Sequence, residues 1–304
     1  MKNLNLLVNL KARYTGHRSS IYAMADIPGT DQFLSAGGDG WIVAWNKLGH
    51  QEDGMLLAQV EGKIFSLQYC YNHGILLAGD MNGHLYFIDL ASKKTVKRLI
   101  LHKGSIFDIM VFGNHALTCG ADGCISLVHI EKMLPELSLE VCRSGLRCLV
   151  KNQDHIYIGG SDNAIHRLNW PDLNKGLSKF EAHANSVFSL YIDSEGYLFS
   201  GGKDALLKKW RLPDVIEEKS VQAHWFTINR LAGWQQKYLI SVSRDKTVRV
   251  WNAETMALVK SLDASKGGHV NSVNNVLVFE NEATLATCSD DRTVILWKIE
   301  PDIL

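Results

Sequence analysis

Four segments of the chain carry a histidine, a serine or threonine, an aspartate and a tryptophan in one order. They are His17, Ser35, Asp39 and Trp45; His183, Ser200, Asp204 and Trp210; His224, Ser241, Asp245 and Trp251; and His269, Thr287, Asp291 and Trp297. In each, the hydroxyl residue precedes the aspartate by four positions and the tryptophan follows it by six. A hydroxyl, an imidazole and a carboxylate in mutual reach are the parts of a base-activated nucleophile. Hydrolysis needs one such set, whereas here the set recurs, each time tied to a tryptophan. A structural network explains the recurrence better. The aspartate accepts from the histidine, the histidine reaches the hydroxyl, and the indole N–H donates to that hydroxyl. Each bond is worth about 0.5–1.5 kcal/mol net, and losing one partner costs more because the others stay buried and unpaired. No catalytic residue is assigned.

Weaker copies fill the intervals. One keeps His102, Thr118 and Asp122 but has Val128 in place of the tryptophan. A second reads Val60, Ala78, Asn82 and Ile88, so three partners have turned apolar together, a change that can be nearly neutral. A third reads Cys142, Ile158, Asp162 and Leu168. Without a histidine, Asp162 is expected to cap its own turn by accepting backbone N–H groups. Cys142 is expected to be a small buried hydrophobe rather than a nucleophile.

Positions 39, 82, 122, 162, 204, 245 and 291 thus mark seven units, spaced by 40 to 46 residues, over nearly the whole chain. Each unit holds short β-rich runs separated by Gly, Asn or Asp turns, with no sustained helical periodicity. That period with several strands per unit indicates a propeller rather than an α-solenoid. The His…Ser/Thr-x-x-x-Asp…Trp array resembles the WD-repeat family of β-propellers over about residues 3–299. One departure is that no Trp-Asp dipeptide survives: Trp45 and Trp251 precede Asn, Trp210 precedes Arg and Trp297 precedes Lys.

The resemblance implies an all-β, seven-bladed propeller of four-stranded antiparallel blades, with residues 1–304 forming a single domain. It also implies that each repeat is offset from its blade by one strand. LNLLVNLKARYTGH at 4–17 parallels MALVKSLDASKGGH at 256–269, which precedes the seventh histidine. Residues 3–10 are therefore expected to form the outer strand of the last blade, beside Val294–Trp297, and to close the ring.

Composition narrows the function. Lysine plus arginine equals aspartate plus glutamate, 32 each, so no global charge draws the chain to nucleic acid or an acidic membrane. The six cysteines form no CxxC pair, and free thiols in the cytoplasm are the expectation. The opening MKNLNLLVNLKARY is too short an apolar run for a secretory segment, and no stretch reaches membrane-span length. The histidines at 17, 102, 183, 224 and 269 belong to separate units, and the others, including His50, His73, His115 and His155, fall in expected loops. Neither a metal site nor a cofactor is expected, and no phosphate-binding or dinucleotide fingerprint occurs.

By the same resemblance, partners meet the narrow face around the channel mouth. The positions involved are one and three residues after the histidine and one before the aspartate. There the chain places Arg18, Lys63, Lys103, Arg143, Lys203 and Arg244 against Glu61 and Asp290, together with Met81 and Trp225. Arginine, aromatic and methionine side chains are typical of binding hot spots. The expected function is a non-catalytic scaffold gripping an acidic or phosphorylated peptide of a protein partner, with Trp225 as anchor. The alternatives are an enzyme with a site at the channel mouth and a nucleic-acid-binding propeller. No membrane partner is expected.

Overall fold

A strand buried on both faces must be apolar almost throughout, while one with an open face can carry charge. Both kinds occur in every unit. Ile75–Asp80 and Tyr238–Ser243 are buried at every residue, whereas Lys94–Ile100 and Ile216–Gln222 are exposed along most of their length. The computed structural model, which describes residues 6–49 and 54–301, arranges these strands as seven four-stranded antiparallel sheets. Six sheets are continuous segments, 21–59, 64–100, 106–140, 146–181, 187–222 and 228–262. The innermost strands of consecutive sheets touch in a closed cycle, the last meeting the first, so the sheets are the blades of a ring. Among the described residues the helical content is two short 3₁₀ turns, Tyr71–His73 and Ala264–Lys266.

Seven apolar clusters fill the seams between blades. One joins Leu34, Ile42 and Val60 to Ile64, Leu76 and Ile88 across the first and second blades. Another joins Tyr14, Phe33 and Trp45 to Phe279, Val294 and Leu296 across the last and first. Each blade is thus covered on both faces by its neighbours.

The seventh blade takes its inner three strands, Val273–Phe279, Thr284–Ser289 and Thr293–Pro301, from one end of the chain and its outer strand, Leu6–Thr15, from the other. The pairing is antiparallel and runs from Leu6 opposite Pro301 to Thr15 opposite Thr293. This corrects the expected bounds. The closing strand is 6–15, and the residues beside Val294–Trp297 are Leu10–Tyr14 rather than 3–10; positions 3–5 lie outside the described residues. The strand runs on past Lys11 and Arg13 because its outward face meets solvent: Lys11 Nζ reaches the Lys47 carbonyl and Arg13 that of Gly267. Leu6 and Val8 pack into the seam between blades 6 and 7, and Tyr14 into the next, where its ring stacks on Trp45 at 5.2 Å.

Two recurrent distortions shape the ring. Every innermost strand has a bulge at its second residue, which is skipped in the pairing: Tyr22, Phe65, Phe107, Arg147, Phe188, Asn229 and Asn274. A bulge re-aims a side chain, and these seven line the axial cavity. The residue after each of the seven marker positions has φ between 65 and 83°: Gly40, Gly83, Gly123, Asn163, Ala205, Lys246 and Arg292. Glycine and asparagine suit that left-handed step of the hairpin turn.

Candidate functional site

In an antiparallel four-stranded blade, the loop entering the first strand and the turn between the second and third lie at the same end. The tetrads join these two places. In blade 6, His224 Nδ1 lies 2.9 Å from Asp245 Oδ2, His224 Nε2 lies 2.7 Å from Ser241 Oγ, and Trp251 Nε1 donates to Ser241 Oγ at 2.8 Å. The chain of donors is self-consistent: indole N–H to hydroxyl oxygen, hydroxyl to Nε2, Nδ1–H to carboxylate. The sets His17–Ser35–Asp39–Trp45, His183–Ser200–Asp204–Trp210 and His269–Thr287–Asp291–Trp297 repeat this geometry, with every matching contact between 2.7 and 3.0 Å. In blade 3, His102 bridges Asp122 at 2.9 Å and Thr118 at 2.8 Å, and the Thr118 hydroxyl also meets the Ser126 carbonyl.

Each of these five aspartates also accepts two backbone N–H groups. One comes from its own turn, as Thr247 N–H to Asp245 at 3.0 Å. The other comes from the residue after the histidine: Arg18, Lys103, Ala184, Trp225 and Val270, at 2.8–3.1 Å. Burial pushes the carboxyl of Asp245 up, but the hydrogen bond and charge of His224, the Thr247 hydroxyl and the Trp225 N–H outweigh it and hold the group well below the usual range. The same balance, with His269, Thr293 and Val270, holds Asp291 far down, and Asp39, Asp122 and Asp204 are lowered too. Burial keeps His224 below its ordinary value despite Asp245, so its ring is neutral near pH 7. Sequence reasoning missed Thr247 and Thr293, whose hydroxyls donate to Asp245 and Asp291 at 2.6 and 2.7 Å. Their signal was available, a threonine two places after the aspartate in both units.

The glycines before the aspartate have a packing reason beyond the turn. A Cβ on Gly120 would lie 2.4 Å from His102 Nδ1, and one on Gly202 2.5 Å from His183 Nδ1. In these two blades the imidazole occupies the space a side chain would take, whereas blades 6 and 7 place Ser243 and Ser289 at the same position and keep the histidine–aspartate contact at 2.9 Å.

The incomplete units differ from expectation. In blade 2 a fully buried Asp80, two places before Asn82, accepts the N–H groups of Asn82 and His84, the His84 ring at 2.9 Å and the Tyr86 hydroxyl at 3.2 Å. The blade therefore keeps a polar cluster, but inside one hairpin. In blade 4 Asp162 has not lost a histidine: His166 Nε2 meets both its oxygens at 3.1 and 3.2 Å, in place of the expected backbone cap. Cys142 is half-buried rather than buried, and its thiol donates to the Ser144 carbonyl at 3.0 Å. His115 and His155 open strands instead of lying in loops, and His50 lies outside the described residues.

On the face carrying these loops, the residue before each marker position donates its N–H to the carbonyl three places after the histidine position, in all seven blades; Arg244 to Thr227 at 3.0 Å is one case. Two of the three face positions of each blade are thereby tied together. Arg18, Lys63, Lys103, Arg143, Lys203 and Arg244 are all exposed, one from each of blades 1 to 6, and among the described residues none makes a salt bridge. The seventh blade places Asp290 there, held by Asn274 at 2.8 Å. Trp225 is 80% exposed, flanked by Phe226 at 57% and Val270 at 63%, with Met81 at 40%. Arg18 leans over the Trp41 ring at 4.7 Å. Inside the ring, a cavity of about 220 Å³ is lined by the bulged residues, with Arg147 held between Phe107 and Phe188 at 4.2 and 5.1 Å.

Seven blades, strand-offset repeats and buried His–Ser/Thr–Asp–Trp networks define a repeat propeller built around a structural tetrad. The sequence model of the WD40 family, described as WD domain, G-beta repeat, matches residues 8–46, 174–211, 218–252 and 257–298, half of the chain, and the protein belongs to that family. The four matches are the four units with a tryptophan. Among similar proteins, the pre-mRNA-splicing factor cwf17 of Schizosaccharomyces pombe is 25% identical over 93% of this chain and 86% of its own length. Transducin beta-like protein 3 of Mus musculus is 22% identical over 94% of this chain and 40% of its own. Protein HIR1 of Kluyveromyces lactis is 30% identical over 41% of this chain and 16% of its own. The chain thus spans most of the first relative and under half of the other two. The crystal structure of the WD40 beta propeller domain of Doa1 superposes with a TM-score of 0.85 over 96% of this chain and 97% of that one, at 17% identity, a likeness of fold. Family membership fits a protein-interaction scaffold. No helix among the described residues is long and apolar enough to cross a membrane.

Proposed function

We propose that the protein is a non-catalytic scaffold that holds an acidic or phosphorylated peptide segment of a protein partner across the face bearing Arg18, Lys63, Met81, Lys103, Arg143, Lys203, Trp225 and Arg244. The observation that carries this reading is the run of six exposed cations without salt-bridge partners around one channel mouth, set against the two acids Glu61 and Asp290 and flanked by the exposed Trp225. A chain of carboxylates or phosphates matches such a ring, and guanidinium groups can grip them bidentately. The acidic seventh position sets a direction, repelling the acidic stretch and favouring a basic or neutral end. Trp225, Phe226 and Val270 offer an apolar anchor beside it. All six cysteines are free, which fits a reducing compartment, and the cytoplasm expected from the sequence and the nucleus are both of that kind.

The test is fluorescence anisotropy with labelled acidic and phosphorylated peptide libraries. Arg244→Glu combined with Trp225→Ala should reduce affinity at least tenfold while leaving thermal unfolding unchanged, because both side chains point to solvent. Unchanged binding by the double variant rejects this face. A steep fall of affinity with salt for single-stranded nucleic acid, exceeding that for any peptide, would favour the nucleic-acid alternative.

A further inference from the structure

Blade 4, like blade 2, lacks the histidine latch that fixes the incoming loop in the other five. In five blades the histidine and the N–H after it both bond to the turn aspartate, whereas here Cys142 replaces the histidine and Asp162 is engaged by His166 and Lys179. The Cys142 thiol, an Asp162 carboxylate oxygen and a His166 ring nitrogen all lie within 4.8 Å of one another. We propose that Cys142, Asp162 and His166 form a binding site for a divalent transition-metal ion of the zinc class, which ties the incoming loop of blade 4 to its hairpin turn.

The donor set selects the ion. Thiolate, imidazole and carboxylate are the three ligand types zinc takes, while magnesium and calcium require oxygen donors. Bonds of about 2.0–2.3 Å in a tetrahedron put ligand atoms about 3.3–3.8 Å apart; His166 Nε2 and Asp162 already stand at 3.1–3.2 Å, so the Cys142 thiol is the group that must approach, by up to roughly an ångström. The half-exposed Cys142 has the freedom to do so, and His166, buried on its strand, supplies the fixed point. Binding removes the proton from the thiol and with it the hydrogen bond to Ser144. The imidazole binds through Nε2, the nitrogen already turned to Asp162, and carries its proton on Nδ1. Partial exposure of Cys142 and Asp162 leaves a fourth position open to water. Lys179, whose Nζ lies 3.4 Å from Asp162 Oδ2, competes with the ion as an internal cation. A second group, His115, His129 and Glu136, is less suited: it has no thiolate, and His129 Nδ1 already accepts the Lys132 N–H, so the other nitrogen of its neutral ring bears the proton.

Cobalt(II) is the probe, because a thiolate ligand gives it a charge-transfer band that imidazole and carboxylate do not. Chelator-treated full-length protein titrated with cobalt should develop that band at one equivalent, and zinc should displace it. Cys142→Ser should abolish the band and His166→Gln should abolish or strongly weaken it, while His115→Gln should leave it intact and Lys179→Gln should tighten binding. Apparent affinity should rise with pH, since a thiol proton is released. Circular dichroism shows whether each variant is folded, and Cys142→Ser, nearly isosteric at a half-exposed site, should be. Absence of a band with cobalt in excess over wild-type protein overturns the proposal, and so does a band that survives Cys142→Ser.

Discussion

At the scale of single residues, each tetrad spends every donor and acceptor it contains, which makes it intolerant of piecemeal loss. Asp245→Ala leaves the His224 ring N–H, the Thr247 hydroxyl and two backbone N–H groups without their acceptor in a mostly buried site. It should cost about 2–4 kcal/mol in urea unfolding. A loss below half a kcal/mol would mean that solvent replaces the carboxylate. The titration signs give a second outcome. A carboxylate lowered in the folded state contributes stability above the unfolded value of about 4, and that contribution fades as pH falls toward the folded value. His224, lowered from 6.5 by burial, contributes fully above 6.5 and less as pH falls below it. The urea midpoint should therefore begin to drop below pH 6.5 and drop more steeply below about pH 4; a midpoint flat from pH 7 to 4 contradicts the neutral, buried imidazole. The tetrad positions were legible because seven copies align them. Asp80–His84 and Asp162–His166 were not, since the two pairs share a four-residue spacing but sit two positions apart in the repeat frame, so aligning the units does not line them up.

At the scale of elements, the closing strand carries disproportionate weight. Leu6, Val8 and Tyr14 are buried by it, and each is worth about 1.5–3 kcal/mol, a sum comparable to the net stability of a domain. Deleting residues 1–15 should lower the melting midpoint by about 10 °C or more and promote self-association through the freed edge of Thr293–Pro301. An unchanged midpoint would show that the ring holds without it. The strand's existence was legible from its likeness to the segment before the seventh histidine. Its bounds were not, because charges on a solvent-facing edge look like a strand ending, and a bulge between Leu10 and Ala12 shifts which residues point inward. The seven axial bulges were equally hidden, since a bulge leaves no composition signal, only a register.

For the whole molecule, the ring converts seven unrelated side chains into one surface. No two of the six cations are neighbours in sequence, and only the repeat offset shows that Arg18 and Arg244 share a face. Replacing Lys103, Arg143 and Lys203 by glutamine should weaken an acidic peptide roughly in proportion to the charges removed, flatten the salt dependence of its binding and leave the melting midpoint within about 2 °C; undiminished binding would place the contact outside blades 3 to 5. Phe226 escaped notice because it lies outside the three repeating positions, although it stands beside Trp225 in the same loop.

The pairing of Leu6 with Pro301 also dictates an order of events on the ribosome. The strand 6–15 must wait until residues 293–301 are made, nearly three hundred positions later, before its partner exists. At about 5–20 residues per second that interval is roughly 15–60 s. Throughout it, a ribbon carrying Leu6, Val8 and Leu10 at alternate positions, with an unsatisfied backbone edge, is open to capture by chaperones or by another nascent copy.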